Sequence, residues 1–147
     1  MQSVSFSREI AAPEDPVREA ILDLESFMLG ADFEEVTVTN ATFADGRATG
    51  GHIDIANSVG FLQIELSLAV IDRPGIVLAY EQRDGIFETM TTEYRLAEGS
   101  NGTTVSVETE FALDASFVGP IFDATVIKRQ RRREIENQFE YIQEVCE

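Results

Sequence analysis

Apolar and polar residues alternate along 3–11, with Val4, Phe6 and Ile10 on one side and Ser5, Ser7 and Glu9 on the other. This is the period of a strand with one buried face. Pro13 and Pro16 stop it, and 13–19 places prolines and acids where a helix N-terminus accommodates them. Val17, Ala20, Ile21 and Leu24 then form a helical stripe that ends before Gly30. From Asp32 the punctuation becomes regular, with turn clusters at Asp45-Gly46, Asn57-Ser58-Val59-Gly60, Asp72-Arg73-Pro74-Gly75, Arg83-Asp84-Gly85 and Glu98-Gly99-Ser100-Asn101-Gly102. The Val, Ile, Thr, Phe and Tyr runs between them predict six more strands at 33–43, 47–56, 61–71, 76–83, 86–97 and 103–113, joined as hairpins. After Gly119-Pro120 no breaker follows. With Ile135 at the centre of a face, Ile121, Ala124, Phe139, Ile142 and Cys146 fall close to it, which predicts an amphipathic helix of about 27 residues. So long a helix after an antiparallel sheet needs that sheet as its partner. The pattern implies one α+β domain over 1–147, a curved seven-stranded antiparallel sheet around a long C-terminal helix, with short helices after the first strand.

Alternation also assigns faces. Leu62, Ile64, Leu66, Leu68 and Val70 share one side of their strand, as do Val105, Val107, Phe111 and Leu113 of theirs. The same parity turns Val36, Val38 and Asn40, then Ile53 and Ile55, Leu78 and Tyr80, and Met90, Thr92 and Tyr94 toward the helix. An apolar wall with sparse polar groups suits either a filled core or a cavity for a hydrophobic molecule. Lys128 falls within about 20° of the helix face centre and Arg131 about 40° to the other side. Either cation could meet a ligand carboxylate, enol or phenolate. The commoner arrangement lays the stems along apolar surface and leaves the charges in water, and it is the expectation here. Arg129 and Arg133 are expected on the solvent side, paired with acids such as Glu136 and Glu140.

Composition changes the picture in one respect. The 147 residues carry 27 acids against 11 bases, a net charge of −16, and Lys128 is the single lysine. Acids spread along the whole chain read as the solvated surface of a salt-adapted, halophilic protein, whose self-repulsion is screened at high salt. Such a surface repels phosphate backbones, so no nucleic-acid partner is expected. No apolar run is long enough for stable membrane insertion or a secretory segment, and a cytoplasmic location is expected.

Cys146 is the only cysteine, between acids near the end of the sequence, which excludes an intrachain disulfide and disfavours a nucleophile. His52 is the only histidine; alternation turns it outward, and only a bulge near Gly50-Gly51 would bring it to a pocket. No metal site is expected from one histidine, and no cofactor, because nucleotide-binding glycine motifs and a Gly-x-Ser-x-Gly elbow are absent from the sequence.

The order of elements, with the opening strand running through Arg8-Glu9-Ile10-Ala11-Ala12-Pro13 into a small amphipathic helix ending at Leu24, resembles the START/SRPBCC helix-grip superfamily. Members grouped as polyketide cyclase/dehydrase and lipid transport range from carriers to enzymes. The resemblance spans the chain as architecture and carries over no catalytic residue. It implies a cavity between sheet and C-terminal helix, and parity and helical phase give its candidate lining: Val38, Ile53, Ile64, Leu66, Leu78, Tyr80, Met90, Tyr94, Val107, Phe111, Ala124, Lys128 and Arg131. The implied occupant is a hydrophobic or amphipathic small molecule such as a lipid, quinone, isoprenoid or polyketide-like compound. Two alternatives stand beside it. One is a cyclase/dehydratase-type enzyme using Lys128, Arg131, Tyr80 or Tyr94; the other is an interaction module acting on a large partner.

Overall fold

The computed structural model describes residues 1–59, 62–114, 116 and 123–147. β1 (Gln2–Ile10) leads into α1 (Glu14–Leu22) and α2 (Leu24–Leu29), and then into β2 (Glu35–Ala44), β3 (Arg47–Val59) and β4 (Leu62–Val70). β5 (Leu78–Asp84), β6 (Phe87–Glu98), β7 (Thr103–Leu113) and α3 (Ala124–Cys146) complete the chain. The strands form one sheet in the order β1-β7-β6-β5-β4-β3-β2, antiparallel at every pairing. This is the architecture that the turn punctuation implied.

The short helices expected after the first strand are two, which meet at Asp23. Two local readings shift. Asn57 and Ser58 continue β3 opposite Ile64 and Gln63 instead of turning. α3 begins at Ala124, where the Asp123 carboxylate accepts the Val126 N–H at 3.0 Å. An N-cap acid of this kind satisfies one of the unpaired N–H groups of a first turn. Ile121, assigned to the same helix from its phase, lies outside the described residues.

α3 lies across one face of the sheet, and its two halves meet that face differently. Ile135, Phe139 and Ile142 are buried in a continuous core with Ile10, Val105 and Phe27. Its last turn is tied to β1, where Arg8 donates to Gln143 and the Ala11 N–H to Glu147. The first half instead stands over the region where the sheet splays. β5 pairs with β4 only along Ser67–Val70, and the register shifts between Ser67 and Leu68. Leu62–Leu66 therefore runs on without a β5 partner among the described residues. Beyond the splay, the Gln82 side chain accepts from Phe87 N–H and donates to Phe87 O, at 3.1 and 2.8 Å. That pair of bonds closes the β5–β6 hairpin and presents Ile86 and Phe87 to the gap.

β2 departs from simple alternation. Its register with β3 shifts between Thr39 and Thr42, and Asn40 sits at φ 55°. A bulge there is matched by Gly51 at φ 126°, where a Cβ would lie 2.8 Å from Ala41 Cα, so the crossing demands glycine. Asn40, assigned by parity to the helix side, is consequently exposed. His52 stays exposed opposite Thr39 despite the bulge.

Candidate functional site

Among the described residues, a cavity opens between the splayed sheet and the first half of α3. Its deep wall is made by Leu68, Tyr80, Phe87 and Met90, with Phe33, Ile55 and Ile86 at the sides and Ile127, Arg131 and Glu134 from α3. Asn57, Ile64, Leu66 and Gln130, all half-buried, stand at the mouth. The cavity volume is about 40 Å³, within about 540 Å³ of free space that runs out into solvent. An apolar hole of roughly 150 Å³ takes one benzene. An occupant larger than a few atoms must therefore rest its body in the mouth.

Of the residues that alternation and helical phase proposed as lining, the structure brings Ile64, Leu66, Tyr80, Met90 and Arg131 together around this cavity. Ile53, Leu78, Tyr94, Val107 and Phe111 are buried in the filled part of the core. Val38 packs on that core from a half-buried position, and Ala124 and Lys128 are half-buried without lining the cavity. Leu62, placed by parity beside Ile64, is 46% exposed at the strand end.

The α3 cations divide differently from the expectation. Arg131 is 8% exposed and does not reach water as an extended side chain would. Its Nη1 donates to Glu134 at 2.6 Å, and Nη2 to Thr109 at 3.1 Å and Thr92 at 3.5 Å. Thr92 and Thr109 are themselves 3.1 Å apart across β6 and β7. Gln130 donates to the other Glu134 oxygen at 3.2 Å. Glu134 is 6% exposed, so the ion pair is buried. Burial alone pulls the Arg131 guanidinium down, but the Tyr80 phenol, Glu134 and Tyr94 outweigh it and leave its pKa above the ordinary arginine value. Arg131 stays charged.

The phase error has a physical source. Centring the helix face on apolar residues ignores Arg131, Glu134 and Gln138, all buried. Including them moves the centre by roughly 40°, onto Arg131 and away from Lys128. Arg129 and Arg133 are exposed as expected. Among the described residues neither forms an ion pair with Glu136 or Glu140, and α3's ion pair is Arg131–Glu134.

Beside the cavity runs a second polar chain. The Tyr94 hydroxyl donates to Gln138 Oε1 at 2.8 Å and lies 3.4 Å from the Tyr80 hydroxyl. Gln138 turns its amide to Met28 Sδ at 3.7 Å, and Phe27 meets the Tyr94 ring edge-on at 5.1 Å. Burial first, then Tyr80, holds the Tyr94 phenol well above its usual range. At neutral pH it is a neutral hydrogen-bond donor. Cys146, at the far end of α3, reaches Pro16 O at 3.4 Å, and burial, with Glu147 and Glu19, pushes its thiol up. It is no activated nucleophile.

Solved structures share this fold. The Zhui aromatase/cyclase from Streptomyces sp. R1128 superposes with a TM-score of 0.77 at 15% identity, over 97% of this chain and 91% of that one. A START superfamily protein from Mycobacterium smegmatis gives 0.70 at 16% identity, over 96% of this chain and 94% of that one. The major latex-like protein 151 of Panax ginseng gives 0.63 at 8% identity, over 95% and 97%. This is the helix-grip fold. Sequences this far apart share architecture without sharing a site. No protein-family model and no curated protein matches the chain.

Among the described residues, no helix of this helix-grip chain is long and apolar enough to cross a membrane. Sequence reasoning missed Thr109, Glu134, Gln138 and Asn57 near the cavity and its polar chains. Thr109 shares the parity of Val107 and Phe111, while Glu134 and Gln138 follow Arg131 at helical spacing of three and seven. Those signals were present, under polar side chains.

Proposed function

We propose that this protein binds and carries a hydrophobic or amphipathic small molecule, of the size and character of a quinone, isoprenoid, polyketide-like compound or lipid tail, between the splayed sheet and α3. The observation that carries the reading is the cavity itself. Its deep wall is apolar at Leu68, Phe87 and Met90, it opens at Ile64 and Leu66, and the polar Gln130, Arg131 and Glu134 are bonded to one another. The helix-grip neighbours, among them an aromatase/cyclase and a START superfamily protein, support a ligand-holding use of the fold.

Native mass spectrometry and dye binding test it together. The purified protein should carry a dissociable apolar molecule, and an environment-sensitive apolar dye should bind to the folded chain. Leu66→Phe narrows the mouth and should weaken dye binding about tenfold, equivalent to ~1.4 kcal/mol. Val107→Phe, away from the cavity in the filled core, should change stability more than affinity. Equal dye affinity in wild type and Leu66→Phe would place the binding elsewhere.

An enzyme of the cyclase/dehydratase type is the second reading, favoured by one observation: Tyr80 and Arg131 share the cavity wall. Among the described residues no hydrogen bond joins Tyr80 to a cation, and carriage stands first for that reason. The interaction-module reading would need a broad apolar surface. Among the described residues, the exposed large apolar side chains are Met1, Leu29, Phe43, Leu62 and Val145, which fall at or near the ends of different elements.

The surface charge supports a protein that works at high salt. With a net −16, the thermal unfolding midpoint should rise between about 0.1 M and 2 M potassium chloride as screening shortens the Debye length to about 3 Å or less. A midpoint that does not move contradicts salt adaptation.

A further inference from the structure

Arg131 is more than nine-tenths buried and lines the cavity, and its Nε is the nitrogen with no hydrogen-bond partner among the described residues. Its other groups are engaged by Glu134, Thr109 and Thr92. A buried donor left unpaired is a costly group that an occupant can satisfy. The charge, in contrast, is already balanced. Glu134 sits 2.6 Å from Nη1, and its second oxygen takes the Gln130 amide. Lys128, one turn earlier, is half-buried and does not line the cavity. A carboxylate brought to Nε would therefore be a second negative charge beside one cation, in a space walled by Leu68, Phe87 and Met90 where desolvation is expensive.

Resting on the binding function proposed above, we infer that the site is selective for a neutral ligand bearing a hydrogen-bond acceptor, a ketone, quinone or ester carbonyl, which docks on Arg131 Nε–H, and that Glu134 is the residue that turns anionic ligands away. The carbonyl points to Arg131, and the apolar body extends toward the solvent-open side past Ile64 and Leu66. A charge-assisted hydrogen bond of this kind gives selectivity without a net charge change.

Three probes of one size separate the terms: 2-acetonaphthone, with a neutral acceptor, 2-ethylnaphthalene, with none, and 2-naphthoate, an anion. Titrations run at about 1 M potassium chloride, where the overall negative surface is screened beyond about 3 Å. Wild-type protein should bind 2-acetonaphthone about tenfold tighter than 2-ethylnaphthalene, and 2-naphthoate most weakly. Glu134→Gln keeps the shape and removes the charge; it should raise 2-naphthoate affinity relative to 2-ethylnaphthalene affinity at least about tenfold. Equal binding of the ketone and the hydrocarbon, or tightest binding of the anion, overturns the inference while the binding function stands. An unaltered 2-naphthoate affinity relative to 2-ethylnaphthalene affinity in folded Glu134→Gln overturns the role of Glu134. Absence of binding by all three removes both the inference and the binding function. Should Glu134→Gln fail to fold, the wild-type order alone decides.

Discussion

Alanine at position 134 should cost about 3–5 kcal/mol of folding stability, the range for leaving one member of a buried ion pair without the other. Arg131, 8% exposed in the wild-type structure, would keep Thr109 and Thr92 but have no ion-pair partner among the described residues. Replacing both partners, as Arg131→Met with Glu134→Leu, removes the charge and its desolvation together. That double variant should return to within about 1 kcal/mol of wild type or exceed it. Urea denaturation of the two variants checks the pair. Near-neutral behaviour of Glu134→Ala would mean that water, not protein, surrounds Arg131. The result matters for function as well as stability. A pair that costs more to bury than it returns is expected where it confers selectivity, and the recovered double variant should have lost its preference for 2-acetonaphthone over 2-ethylnaphthalene.

The second large effect separates the two halves of α3. Phe139→Ala should destabilise by about 3–5 kcal/mol, because Phe139 is fully enclosed between the helix and β1, with the Arg8 guanidinium 5.1 Å from its ring centre. Leu66→Ala, at the half-buried mouth of the cavity, should cost about 1 kcal/mol or less, since little packing surrounds the deleted atoms. Comparing the two by denaturant midpoint at constant m-value distinguishes a helix anchored along its last three turns from one packed evenly. Similar losses at the two positions would mean that the cavity region is as tightly filled as the rest of the core.

Much of the fold could be read directly. The punctuation at Asp45-Gly46, Asp72-Arg73-Pro74-Gly75 and Glu98-Gly99-Ser100-Asn101-Gly102 separates β2 from β3, β4 from β5 and β6 from β7, because such residues adopt turn dihedrals that strands reject. The hairpin after β3 was blurred, since Asn57 and Ser58 look like turn residues yet pair with Ile64 and Gln63. Tertiary pairing there outweighs local preference. The site was legible in part. Parity placed Ile64, Leu66, Tyr80 and Met90 on the inner face, but parity cannot say which inner positions meet other side chains and which meet a gap. The gap comes from the register shift at Ser67 and Leu68, a property of pairing that no single strand contains. Arg131 was visible as a candidate and was expected to reach solvent. Glu134, three residues on, supplies the countercharge that keeps it inside, and an acid on a mostly apolar face is easily assigned to water.

The methionines offer the most direct test of where a ligand sits. The chain has three: Met90 on the cavity wall, Met28 buried beside Gln138 away from the cavity, and Met1 exposed. A titration of methyl-labelled protein with 2-acetonaphthone, followed by NMR, should shift the Met90 methyl saturably and leave Met28 and Met1 in place. Movement of Met28 or Met1 with Met90 unchanged, or no movement at any of the three, would contradict binding between the splayed sheet and α3.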